Sequence, residues 1–343
     1  MSKAQRWLSL FLLGVGVSVA IAACTPNQQT EAKQEVKLTL VSYAVTQAAY
    51  EQIIPLFAEK WQKETGKTVI VDQSYGGSGS QARAVIDGLE ADVVALAIAL
   101  DTEQIEKAGL IQPGWEQKLP NESIVTTSVA ALVPRDDSIK ITNWSDLAND
   151  NIKIVTANPK TSGGARWNFL ALWGAVTRSG GSEAQATAFL EQILKNVPVL
   201  PKNARESSDA FYHQGQGNVL MNYENEVILA QQKGDNSPYF VPTDYNISID
   251  NPIAIVDVNV DKHGTREVAE AFVNFVFTPE AQREFAKVGF RPVNEQVKEE
   301  FKTQYPPIEN LFTAKDLGGW DAIQQKFFDD GAIFDQILQK VGK

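Results

Sequence analysis

Short apolar runs and helically spaced apolar positions alternate along most of the chain. Leu38 to Ser42 reads as a strand, and Thr46 to Lys63 as a helix with a kink expected at Pro55. Thr68 to Val71 is the next strand, and Ala82, Val85, Ile86 and Leu89 fall at helical spacing. Val93 to Leu100 is continuously apolar, which predicts a strand buried on both faces in a parallel sheet. Ser128 to Val133 predicts a further strand, and Ile152 to Val155 opens a second series. Helices follow from about Gly163 to Arg178 and near Glu183–Asn196, then strands near Val197–Leu200 and Val219–Asn222. Ile253 to Val260 predicts a strand, with Val256, Val258 and Val260 alternating against polar residues. Thr265 to Phe277 and Pro279 to Val288 predict helices, the second with Thr278 as N-cap and Pro279 at its first position. Alternation of this kind predicts an α/β architecture with mostly parallel sheets and helices on both faces.

Length and charge narrow the class. The 343 residues suffice for two lobes, each with its own core. The balance of 31 Lys+Arg against 42 Asp+Glu gives a net charge of −11, the wrong sign for a nucleic-acid binder. One Cys and two His make an intrachain disulfide impossible and a metal site unexpected, and no cofactor is expected. Asp257, Asn259 and Asp261 start like a calcium loop, but Lys262 stands where Gly is needed and Val268 where Glu is needed. His213 and His263 lie in no catalytic pattern and are expected at the surface.

The first residues read as an address. Lys3 and Arg6 precede a run from Leu8 to Ala23 of apolar and small residues, shorter than the ~20 needed to span a membrane. Ile21-Ala22-Ala23-Cys24 then ends it, as a secretory signal would end. The pattern resembles the bacterial lipoprotein signal, in which such a Cys is lipidated and becomes the first residue. Residues 1–23 are therefore expected to be removed and 24–35 to act as a polar tether. Cys24 would hold the protein at a membrane in an oxidising, extracytoplasmic compartment.

Candidate chemistry lies at two strand-to-helix junctions. Gly76-Gly77-Ser78-Gly79 follows a strand and precedes a helix, where glycines let the backbone approach a ligand and the helix start offers unpaired N–H groups. No Gly-Lys-Ser/Thr follows, so it is not a nucleotide loop. Ser162-Gly163-Gly164 stands at the start of a strongly helical segment, with Ser162 a natural N-cap. Each by itself reads equally as a plain turn or an ordinary cap. Together they suggest an anion held between helix N-termini, beyond the carboxyl ends of the strands. Trp167, Leu170, Ala171 and Gly174 form a helical stripe and read as core, as do Phe272, Phe275 and Val276.

Asn158-Pro-Lys-Thr-Ser-Gly-Gly-Ala-Arg-Trp-Asn168 closely resembles a signature of the bacterial sulfate/thiosulfate-binding proteins, receptors of ABC importers. Val71-Asp-Gln-Ser-Tyr-Gly-Gly-Ser-Gly79 resembles the first signature of that family. Glu90-Ala-Asp92, Ala204-Arg205 and Glu224-Asn225-Glu226 match in order, and the similarity runs from about Val36 to the C-terminus.

The resemblance implies a two-lobe periplasmic-binding fold with the ligand cleft between the lobes. Lobe 1 would comprise residues 36–133 and 246–343, with the packing of the last helices left open, and lobe 2 residues 134–245. It implies a dianion held by neutral donors: the Ser78 hydroxyl, Ser162 with the Gly163 and Gly164 amides, and the backbone N–H groups of Ala204 and Ala44. The family commonly has Asp at the position of Ala44 and Trp at that of Tyr223. Arg166 and Arg205 would support the donor loops, with Asp101, at the end of an apolar strand, a partner for one of them. The expected partners are sulfate or thiosulfate, with molybdate a further tetrahedral candidate, and the permease and ATPase subunits of an importer. The receptor itself is expected to be a periplasmic monomer. A secreted ester hydrolase using Ser78 or Ser162 as nucleophile is the rival class. It needs a base or a metal, and the loops supply neither a His nor a carboxylate cluster.

Overall fold

Alternate residues of β1 (Glu35–Tyr43) enter two different cores. Leu38 and Leu40 join a cluster with Tyr50, Ile53 and Phe57 of α1 (Gln47–Thr65). Val41 joins another with Ala82 and Val85 of α2 (Ser78–Ile86) and Ile105 of α3 (Ala99–Lys107). A strand covered on both faces is therefore apolar on both, and each large side chain fully buried this way contributes roughly 1.5–3 kcal/mol. The computed structural model describes residues 35–305 and 307–343. The expected signal segment and Cys24 lie outside the described residues.

The first sheet has the order β2-β1-β3-β9-β4, with β2 (Thr68–Gly76), β3 (Val93–Ala95), β4 (Ile124–Ser128) and β9 (Ile249–Ile255). β2 and β3 flank β1 in parallel, whereas β9 runs antiparallel to both β3 and β4. The second sheet has the order β5-β7-β6, with β5 (Ala130–Pro134), β6 (Ile154–Val155) and β7 (Val219–Tyr223). Around it stand α4 (Gly163–Thr177), α5 (Glu183–Lys195), α6 (Ala204–Tyr212) and α7 (Glu224–Gln232). A short parallel pair joins β8 (Asn246–Ile247) to β10 (Leu311–Phe312). The remaining helices are α8 (Asp257–His263), α9 (Arg266–Phe275), α10 (Pro279–Lys287), α11 (Glu295–Phe301), α12 (Trp320–Ile323) and α13 (Ile333–Val341).

The chain passes between sheets at Val129, so the single strand expected over 128–133 is two strands in different sheets. Asn246 clamps the crossing: its side chain donates to the Ala130 carbonyl at 3.0 Å and accepts from the Ala130 N–H at 3.2 Å. β5 therefore lies in the second sheet, where the sequence division placed residues up to 133 with the first. The packing of the last helices, left open by the sequence, is against helices of the second sheet. α13 packs against α5, and Phe334 meets Phe169 of α4 edge-on with centroids 5.9 Å apart.

Other elements differ from expectation for identifiable reasons. The apolar run from Val93 is strand only to Ala95, and α3 begins at Ala99. Asp101 is thus in the first turn of a helix rather than at the end of a strand. The strand expected through Val260 stops at Ile255, and residues 257–263 are helical. Val256 and Val260 are both buried because they are one helical turn apart, while Val258 is exposed. The run near Val197–Leu200 forms only an isolated bridge between Val199 and Val155. Thr278 caps α10 by accepting from the Ala281 N–H at 3.4 Å, with Pro279 at the first position.

Candidate functional site

Three helices begin at one small cavity between the sheets. Tyr43, Ala44, Val45, Gly76, Gly77, Ser78 and Ala97 line it from the first sheet's side. Ser162, Gly163, Gly164, Asn203, Ala204 and Tyr223 line it from the second's. All seven positions expected to contact a ligand, Ala44, Ser78, Ser162, Gly163, Gly164, Ala204 and Tyr223, meet here. Among the described residues, the lining contains no Lys, Arg, His, Asp or Glu.

Close approach explains the glycines. A Cβ on Gly77 would stand 2.7 Å from the Thr161 carbonyl oxygen, in the loop before α4. One on Gly163 would stand 2.9 Å from the Ala97 Cβ, and one on Gly164 2.5 Å from the Tyr223 ring and 2.7 Å from its hydroxyl. Bare backbone thus lets the start of α4 abut both Ala97 and Tyr223. Ser162 caps α4 by accepting from the Ala165 N–H at 3.3 Å, which leaves its own hydroxyl hydrogen free to donate. Asn203 caps α6 by accepting from the Glu206 N–H at 2.9 Å. The first-turn amides of α2, α4 and α6, including those of Ser78, Gly163, Gly164 and Ala204, have no acceptor further back in their helices. Together these helix starts form a positive end without a formal cation.

Ser78 is placed differently from expectation. Its Oγ donates to Asp101 Oδ2 at 2.5 Å and accepts from the Ala97 N–H at 2.9 Å. The single hydroxyl hydrogen is therefore occupied, and only the main chain of Ser78 remains as a donor. A carboxylate thus stands beside Ser78, where sequence reasoning saw none. Burial pushes the Asp101 pKa up, opposed by the charge of Arg166 and by the Ser78 hydrogen bond. Among the described residues Asp101 makes no ion pair within 4 Å, so it is not the direct partner expected for Arg166 or Arg205. Arg166 instead donates to the Pro159 carbonyl at 2.9 Å and to Gln324 at 3.0 Å, and lies over the Phe328 ring. Arg205 grips Glu226 with Nε and Nη2 at 2.8–3.2 Å. Burial alone would lower the Arg205 pKa, but Glu226 outweighs it and the net shift is upward. That pair ties the start of α6 to the start of α7.

Tyr223 ends β7 with its ring against Gly164, and its buried hydroxyl has no hydrogen-bond partner among the described residues. Burial raises its pKa well above the usual phenol value, so the group stays protonated.

Some contributors were not singled out from the sequence, among them the α6 cap Asn203. Tyr43 lines the cavity beside Ala44. Asn222 donates to the Ala204 carbonyl at 2.9 Å and accepts from the Tyr223 N–H, joining β7 to α6. Trp167, read as core, is core, but its indole N–H also donates to the Ala97 carbonyl at 2.8 Å, between the sheets. No local signal marks Asn222, and the helical stripe marks Trp167 only as core, whereas Tyr43 adjoins a residue already singled out.

Residues 38–291 match the family model described as bacterial extracellular solute-binding protein. A sulfate-binding protein of Synechocystis sp. is 59% identical over 332 residues, covering 94% of each chain. One of Synechococcus elongatus is 59% identical over 342 residues, covering 98% of this chain and 97% of that one. Among solved structures, the sulfate-binding protein SubI from Mycobacterium tuberculosis H37Rv superposes with a TM-score of 0.79 at 34% identity, covering 86% of this chain and all of that one. With matches of this identity and extent, the chain belongs to the bacterial extracellular solute-binding proteins, within the sulfate/thiosulfate-binding family.

Proposed function

We propose that the cavity binds sulfate and that the protein delivers it to the permease and ATPase subunits of an ABC importer. The observation that carries this reading is the convergence of three helix N-termini and an unpartnered buried phenol on one cavity with no charged lining residue. The donors would be the amides of Ala44, Ser78, Gly163, Gly164 and Ala204, with the hydroxyls of Ser162 and Tyr223. Ser78 acts through its backbone, since its hydroxyl hydrogen is held by Asp101.

Sulfate near neutral pH has only acceptors, so a dry set of donors satisfies it completely. Monohydrogen phosphate carries a proton that would lack an acceptor among amides, at a cost of roughly 1–3 kcal/mol. The net charge of −11 repels a dianion at long range, though salt screens this beyond about 8 Å. Affinity then comes from local dipoles. Five to seven charge-assisted bonds of roughly 1.5–3 kcal/mol each offset desolvation and leave about −8 kcal/mol, a micromolar constant. The two sheets close on the anion as rigid bodies about the 128–130 and 246–249 crossings, and the closed face is what a permease recognises. In this reading the protein works as a periplasmic monomer, anchored through lipid on Cys24.

Calorimetric titration of the anion-free protein with sulfate tests the proposal, with phosphate, thiosulfate and molybdate as competitors. Tight one-to-one sulfate binding is expected, with phosphate much weaker. Tighter binding of thiosulfate or molybdate would reassign the ligand, and no binding of any of them would end the reading.

A further inference from the structure

Tyr43 is buried, and its hydroxyl, like that of Tyr223, has no hydrogen-bond partner among the described residues. The two residues stand at the carboxyl ends of β1 and β7, one from each sheet, and both line the same cavity. Their ring centroids are 6.3 Å apart. Two buried, unpartnered hydroxyls on residues that line one cavity are unfavourable unless something there accepts from them. Burial raises both phenols well above their usual pKa, so both keep their protons and can donate.

Tyr50 supplies a contrast. Its hydroxyl is also buried and unpartnered, but the residue is absent from the cavity lining. It packs among aromatic side chains, 5.5 Å from the Phe285 centroid and 6.2 Å from that of Phe272. An orphaned phenol therefore occurs in this protein both at the cavity and away from it, and only position separates the two cases.

We infer that Tyr43 is a ligand-binding residue, donating its hydroxyl to the bound oxyanion from the first sheet while Tyr223 donates from the second. The inference rests on the anion-binding reading and adds a side-chain contact to it. The anion then joins one phenol from each side, so it closes the cleft as well as filling it. Tyr43→Phe removes one oxygen and leaves the ring packing and the neighbouring Ala44 amide in place.

The test is titration of wild type, Tyr43→Phe and Tyr50→Phe with sulfate, with thermal melts of each in the presence and absence of the anion. Loss of a charge-assisted bond should weaken sulfate binding to Tyr43→Phe by about 10-fold or more. The anion-free variant should melt no lower than wild type, because an unsatisfied buried group has been removed, yet gain less on adding sulfate. Tyr50→Phe should bind sulfate within about twofold of wild type. Wild-type affinity in Tyr43→Phe, or an equal loss in both variants, overturns the inference while leaving sulfate binding intact. Failure of wild type itself to bind the anion overturns both.

Discussion

Ser78 Oγ lies 2.5 Å from Asp101 Oδ2, and this contact changes what Ser78 contributes to the cavity. The same oxygen accepts from the Ala97 N–H, so the hydroxyl joins α2, α3 and the segment after β3. Ser78→Ala leaves a buried carboxylate and a buried amide each short of a partner. It should destabilise the fold by roughly 1–3 kcal/mol. Sulfate affinity should fall less than tenfold, because the main-chain N–H survives. Urea denaturation and calorimetry on the variant check both parts. Unchanged stability with a hundredfold loss of affinity would mean that the hydroxyl itself touches the anion.

Gly164 is a packing requirement of the cavity. An added Cβ would lie 2.5–2.8 Å from three atoms of the Tyr223 ring and hydroxyl. Gly164→Ala should push that ring aside, lower stability by about 1–3 kcal/mol and weaken sulfate binding at least tenfold. Calorimetry that finds wild-type affinity would show that the ring position does not matter.

Tyr223 bears on selectivity. A phenol can donate and accept, whereas an indole N–H only donates. Tyr223→Trp should therefore raise the ratio of sulfate to phosphate affinity, measured by titration at pH 7.5. An unchanged ratio would remove this role from Tyr223.

His263 links stability to pH. Its ring nitrogens lie 2.9 Å from Glu90 Oε2 and 2.8 Å from Asp92 Oδ1. Hydrogen bonds to Glu90 first, then to Asp92, raise its pKa above the ordinary 6.5. A raised imidazole contributes stability that is fully present below the unfolded value and lost as pH rises through the higher folded value. The melting-temperature gap between wild type and His263→Gln should therefore be larger at pH 5.5 than at pH 8.5. Equal gaps at the two pH values would disprove the linkage.

Several features were legible in the sequence because the interactions behind them are local. Ser162 before two glycines and Thr278 before Pro279 are N-caps, and a cap bonds within its own first turn. The apolar alternation of strands and helices likewise specifies an α/β chain. The motifs around Ser78 and Ser162 place the cavity-lining loops at strand-to-helix junctions. Contacts between residues far apart in sequence were decided only in the tertiary structure. Asp101 meets Ser78 because α3 begins earlier than its apolar run suggests, turning the carboxylate toward α2. Residues 257–263 form a helix despite an alternating pattern, because buried Val256 and Val260 suit one helical face as well as one side of a strand. Tyr43 and Tyr223 are 180 positions apart, and only the meeting of two sheets at one cavity brings their rings to 6.3 Å, each with its buried hydroxyl unpartnered among the described residues. Local pattern chooses the element, but burial, and the hydrogen bonds that burial makes costly to leave open, choose the neighbours.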